Sequence, residues 1–241
     1  MTAITEDART DLARERAFFL AMAVGIAVTV VAGFGLQFAA GRSSLASPWW
    51  VHLHGAAFAG WIGFYLLQNA LVYRGAVASH RALGLFGFAW ATFLVPVGVM
   101  VTCFSLQAHR TPPFFQPPFF LGMDLLTMLV FYPLTLAAIR LRQKTDWHRR
   151  LMLSGTIFLT APAWGRLIPL PLLGQDLGVW AILAAQLLFF YGFAIRHDLA
   201  TRGRVHPAYF WGIGVSVAAV SVMKPLSALP FMVAWAEKLT G

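Results

Sequence analysis

Seven apolar stretches dominate the chain, at about 17–40, 49–73, 82–104, 117–139, 150–170, 177–196 and 207–236. Each is about 20 residues or longer, enough to cross a hydrocarbon core of roughly 30 Å at about 1.5 Å per residue. Polar residues collect in the short segments between them. The pattern predicts an all-α polytopic membrane bundle of seven transmembrane helices. Residues 1–16 read as a cytoplasmic N-terminal segment, and 17–241 as a single transmembrane helical domain. The mixed-charge stretch from Glu6 to Arg16 precedes an apolar run far longer than that of a cleavable signal, so the run reads as an anchored first helix.

Composition supports the pattern. Only 11% of residues are charged, against about a quarter in an ordinary soluble domain, so most of the surface cannot face water. The net charge of +9 is spread over short loops, which fits membrane orientation and disfavours a nucleic-acid partner. Thirteen basic residues, among them Arg9, Arg14, Arg74, Arg140, Arg149 and Arg202, fall on one side; Arg42, Arg110, Arg166, Lys224 and Lys238 fall towards the other. The positive-inside bias makes the first side cytoplasmic. The expected setting is a bacterial inner (plasma) membrane, with the N-terminus cytoplasmic and the C-terminus outside. A single cysteine, Cys103, rules out an intrachain disulfide or a thiolate metal cluster.

Prolines at 96, 133, 162 and 225 interrupt apolar spans, and each removes a backbone donor and bends its helix. The second span carries Gly55, Gly60 and Gly63, small residues that let a neighbouring backbone approach. The segment Thr111–Phe120 repeats Pro-Pro-Phe-Phe and reads as a stiff connector or lid in the outer interface. A second echo joins His80-Arg-Ala-Leu-Gly to His148-Arg-Arg-Leu-Met, and His206-Pro opens the last span in the equivalent place. Three tandem helical hairpins after one anchor helix would produce that pattern.

The string His52-Leu-His54-Gly55, His80-Arg81-x-Leu83-Gly84, His148-Arg-Arg-Leu-Met152 and Arg202-Gly-Arg-Val-His-Pro207 resembles an uncharacterised family of small proteobacterial polytopic membrane proteins. The resemblance covers the second to seventh spans. It implies location and helix count, and carries no activity.

Ionisable groups at membrane depth are functional candidates by default. Helical rise puts His54 about 6 Å and Asp124 about 9 Å below the outer ends of their spans, and Arg166 and Lys224 about 25 Å above the inner face. All four therefore fall in one layer. The leading expectation is a binding or transport module in which they line an outward pocket for a small anion or lipid headgroup. The opposing reading makes Asp124 and Arg166 an internal brace, with the cations snorkelling outwards. His52 and His54 point about 200° apart on a helix and cannot chelate one metal, and the His-x-x-x-His spacing of zinc helices is absent, so no metal site is expected.

A second constellation lies at the cytoplasmic end, where His80, His148 and His206 each open a helix beside arginines. Two facing imidazoles would ligate a b-type haem, with Arg81, Arg149 or Arg204 pairing its propionates, and the protein would carry electrons. Ordinary helix-start hydrogen bonding explains the same histidines without a cofactor. A third reading is a lipid-modifying enzyme with His54 and Asp124 as acid and base. Phosphate-cradling glycine loops, Cys-x-x-Cys and a nucleophile elbow are all missing from the sequence.

Overall fold

The computed structural model of the chain describes residues 6–241. Within the expected N-terminal segment, residues 1–5 and the side chains up to Arg9 lie outside the described residues. The architecture is all-helical: α1 (Glu6–Ala39), α2 (Trp49–Tyr73), α3 (Val77–Gln107), α4 (Pro117–Arg140), α5 (Thr145–Phe158), α6 (Ala161–Leu167), α7 (Leu170–Gln186), α8 (Gly192–Arg202), α9 (Pro207–Ser227) and α10 (Pro230–Thr240). A π-helical turn, Leu187–Tyr191, joins α7 to α8 without a break. Six helical stretches among the described residues are long and apolar enough to cross a membrane, with α7, the π turn and α8 counting as one.

Chain punctuation sets most of the boundaries. Proline opens α4, α7, α9 and α10 within the first two positions, where its missing N–H has no helical partner to lose. Gly75 (φ 76°) turns the chain between α2 and α3, and Gly203 (φ 68°) closes α8 in the left-handed conformation.

Three stretches depart from the sequence reading. The polar lead-in to the first span is helical, so α1 extends well beyond the apolar part. The fifth stretch, expected as one helix over 150–170, is divided into α5 and α6 at Leu159–Thr160. Pro162 has no N–H for the Phe158 carbonyl, and the Gln186 side chain bonds that carbonyl (3.3 Å) and the one before it (2.8 Å) instead. The last stretch, expected over 207–236, ends at Ser227 because Pro230 cannot continue the ladder, and α10 turns back onto α3 and α4.

α5 sits at the centre. It packs against α4, α9 and α1, while α2 and α3 pack beside α1 and α4. Its residues from Arg150 to Phe158 are buried apart from Met152, with Arg150, Leu153, Ser154 and Thr156 showing no exposure. The main apolar core surrounds this helix, built from Trp61 and Tyr65 of α2, Leu94 of α3, Phe131 of α4, Ile157 of α5 and Tyr209 of α9. The helix most enclosed by protein is therefore also the one that brings an arginine and several hydroxyls inside.

Candidate functional site

The end of the bundle where α4 finishes and α5 begins is the basic end. There α5 opens on Asp146, His148, Arg149 and Arg150. Adjacent residues on a helix point about 100° apart, so two consecutive arginines cannot both face solvent once the helix is central. Arg150 turns inward. Its Nε and Nη2 fork onto both carboxylate oxygens of Asp198 in α8, both side chains being fully buried, and Nη2 also reaches Glu15 of α1 at 3.0 Å. Arg149 pairs with Glu15 at 2.5 Å and with Asp146, which Arg202 meets from α8 at 3.1 Å. Three guanidinium groups thus face three carboxylates, and the charges balance inside a network spanning α1, α5 and α8. The second oxygen of Asp198 accepts the backbone N–H of His206 at 2.9 Å, tying the start of α9 to the same network. Three arginines beside Asp146 hold its carboxyl below the usual carboxylate range, against the opposing effect of burial.

Beside the network, His80 at the start of α3 and His148 at the start of α5 meet edge to face. Their ring centres are 6.2 Å apart and their planes lie at 73°. His148 Nδ1 bonds the Ala138 carbonyl at 2.9 Å, an arrangement that makes Nδ1 the protonated nitrogen and leaves Nε2 with a free lone pair. His80 Nδ1 is buried with no partner within bonding distance. Burial, with Arg142 and Arg149 nearby, lowers the pKa of His148 and favours its neutral form. His206, the third histidine of this constellation, is engaged elsewhere. Its Nδ1 accepts the Ala208 N–H at 3.1 Å as the cap of α9, and its ring lies edge-on to Trp147 at 5.0 Å.

At the opposite end the four residues expected to share a layer have different bonding partners, although Arg166 lies near enough to His54 for its charge to act on that ring. The His54 ring lies against Phe58 at 4.4 Å, with its Nδ1 buried and unpartnered. The Asp124 carboxylate meets the Thr102 hydroxyl of α3 at 2.9 Å. Arg166 places its guanidinium 4.1 Å from the Phe34 ring centre and donates to the Pro162 carbonyl at 2.8 Å. Lys224 pairs with Asp176 of α7 at 2.5 Å, and the two line a cleft of about 310 Å³ between α7 and α9 together with Trp180 and Ser221. Among the described residues no hydrogen bond or ion pair joins Asp124 to Arg166, or His54 to Asp124. His52 bonds the Leu45 carbonyl at 3.1 Å.

Among the described residues no group of three or more His, Cys, Asp or Glu side chains is arranged to hold a metal ion. A metal already held within a chelating cofactor would not need a third protein ligand. No family model, curated protein or solved structure matches the chain. Function is therefore argued from these side chains alone.

Sequence reasoning singled out His80 and His148 but missed Glu15, Asp198 and the inward turn of Arg150. One signal was available. Arg150 and Ser154 are four residues apart and lead into an apolar run, which puts both on one face of a helix. The partner that makes this face inward, Asp198, comes from another helix and leaves no mark at that position of the sequence.

Proposed function

We propose that the protein is a membrane-embedded b-type haem protein that carries electrons close to the cytoplasmic face, with His80 and His148 as the residues that would hold the haem. The closeness of those two rings carries the reading: their centres are 6.2 Å apart, so imidazoles from two separate helices would offer nitrogen donors to one iron. The backbone anchor on His148 is the usual device for fixing the tautomer of a ligating imidazole. Arg81 lies near His80 and Arg142 near His148, suitable partners for the propionates. Bound there, the haem would supply a one-electron redox centre, and the buried imidazoles would hold and orient it.

In this reading the basic end is cytoplasmic and the membrane is a bacterial inner membrane. α5 and α6 together make a broken seventh crossing that leaves the C-terminus outside. The test is an absorption spectrum of detergent-purified protein from haem-replete cells, oxidised and dithionite-reduced. A Soret band that shifts on reduction, disappears in His80→Ala and His148→Ala and survives in His206→Asn is expected. A colourless wild-type preparation would sink the proposal.

A second reading keeps the outward site. Lys224 lines the cleft between α7 and α9, where a small anion or lipid headgroup would displace or join Asp176 at the ammonium. It requires phosphate or anionic lipid to raise the melting temperature of the wild type and not that of Lys224→Met.

A further inference from the structure

We propose that the interior of the bundle is a proton path, running from the Arg150–Asp198 pair along the buried face of α5 to the opposite end. This rests on the reading that α5 and α6 together cross the membrane, and does not depend on a bound haem.

The path begins beneath the charge network. Tyr209, fully buried, lies with its ring 5.6 Å from the Arg150 guanidinium and its hydroxyl without a partner within bonding distance. One turn further along α5, Ser154 is also fully buried and its hydroxyl is unpaired. The Tyr191 hydroxyl turns towards those of Ser154 and Ser216. Gly212 makes room for this meeting, because a Cβ there would collide with the Ser154 side chain and lie 2.6 Å from the Tyr191 oxygen. Six residues beyond Ser154, Thr160 and Gln186 close over the carbonyls freed where α5 breaks, with the Gln186 amide 3.2 Å from the Thr160 hydroxyl. The file ends at the far end, where the Gln37 side chain donates to the Arg166 carbonyl.

Two independent features make this more than a set of satisfied core hydroxyls. First, buried polar atoms nearly always find partners, and internal water commonly supplies them; here three hydroxyls from three helical segments, Tyr209, Ser154 and Tyr191, are buried without one below the Arg150–Asp198 pair. Second, both backbones flanking the file are irregular at the same depth. α5 breaks at Leu159–Thr160, and the π turn Leu187–Tyr191 carries Gln186 and Tyr191 at its two ends. Irregular backbone is tolerated at membrane depth where it lines a polar interior, and π turns recur at functional sites. From Arg150 to Arg166 the helical rise is about 24 Å, most of a hydrocarbon core. Each hydroxyl or water in such a file accepts a proton on its oxygen and passes its own to the next, so nothing is consumed. Asp198 and Glu15 offset the positive charge of Arg150 at the mouth.

The experiment is proton flux in liposomes holding the full-length protein and a trapped pH-sensitive dye, driven by a potassium gradient with valinomycin. Wild-type vesicles should acidify or alkalinise several-fold faster than protein-free ones. Tyr191→Phe should lose most of that excess, and Thr92→Val, whose exposed hydroxyl lies on α3 away from the file, should keep it. If Tyr191→Phe fails to elute as a folded species, Ser216→Ala serves in its place. Flux at the protein-free level, or folded Tyr191→Phe and Ser216→Ala conducting like wild type, would overturn the proposal.

Discussion

The two ends of this bundle treat charge in opposite ways. At the basic end, Glu15, Asp146, Arg149, Arg150, Asp198 and Arg202 interlock across three helices, and the central pair is fully buried. At the opposite end, Asp124, Arg166 and Lys224 each settle with a local neighbour: a threonine, a phenylalanine ring and one exposed aspartate. The first arrangement has partners that cannot relax into solvent, so it fixes how α1, α5, α8 and the start of α9 sit together. The second ties each group to one or two near neighbours and, among the described residues, to no shared network. A site that must hold a cofactor or pass protons needs the first kind of surroundings, which is why the proposed haem site and the proposed proton path both draw on the basic end.

The sharpest way to break this comparison is to remove one member of the buried pair. Arg150→Met or Asp198→Leu alone leaves an uncompensated charge in the core and should cost about 3–5 kcal/mol, enough to lose folded protein in detergent. The Arg150→Met/Asp198→Leu double variant removes both charges and should recover a large part of that loss. Thermal unfolding followed by size-exclusion chromatography gives the ranking. If the double variant is no better than either single one, the pair is not an independent unit, and its bonds to Glu15 and the His206 backbone carry the coupling.

Two glycines extend the comparison from charge to packing. Gly212 of α9 faces Ser154 and Tyr191 so closely that Gly212→Ala must push them apart, at a cost of about 1–3 kcal/mol. Gly63 of α2 faces open space, with nothing within 4 Å of where a Cβ would stand, so Gly63→Ala should be neutral or stabilising by up to about 1 kcal/mol through helix propensity. Equal melting temperatures for the two variants would mean that α9 is not seated closely against α5.

What the sequence could and could not reveal follows from the same geometry. Helical spans are legible because length and hydropathy are properties of one segment, and six of the expected apolar stretches stand as helices of spanning length. Relative position along one helix follows as well, because rise per residue is fixed. Azimuth does not. Asp124 and Arg166 share an expected layer, yet one turns to Thr102 on α3 and the other to Phe34 on α1, and no spacing within α4 or α6 encodes that. The fifth stretch makes the same point for the backbone. Pro162 announces a bend, but the donor that lets the helix break completely is Gln186, which lies 24 residues further along the chain. His80 and His148 were legible as candidates because their Arg-x-Leu context repeats; that they meet depends on how α3 and α5 pack around α4.

Acid should weaken the basic end. Burial lowers the pKa of His148 and of His206, with Arg142 and Arg149 adding to the first and Arg150 and Arg202 to the second. A histidine whose folded pKa lies below its unfolded value of about 6.5 leaves stability intact above that pH. Stability then falls as pH drops towards the folded value, because the unfolded chain takes up the proton first. Asp146 works in a lower window: its folded pKa is depressed, so its contribution is complete above about pH 4 and is lost only as pH falls through the folded value. The melting temperature of the purified protein should therefore decline from pH 7.5 to pH 5, and His206→Asn, which retains a capping oxygen, should flatten the slope. A melting temperature constant across that interval would remove these imidazoles from the acid response.

The smallest effect belongs to the exposed pair at the far end. Lys224 and Asp176 are 71% and 47% exposed, so solvent and ions screen their attraction and each side chain gives up rotamer freedom to hold it. Asp176→Asn and Lys224→Met should each change stability by less than about 1 kcal/mol. Their difference from wild type should shrink further in high salt, where the buried Arg150–Asp198 pair is little affected. A loss comparable to that of Arg150→Met would show that this pair is as enclosed in the membrane-embedded protein as its counterpart. The outward cleft would then rank beside the basic end as a place where charge is held for use, because an ammonium kept from water there would have only an anionic ligand or Asp176 to neutralise it.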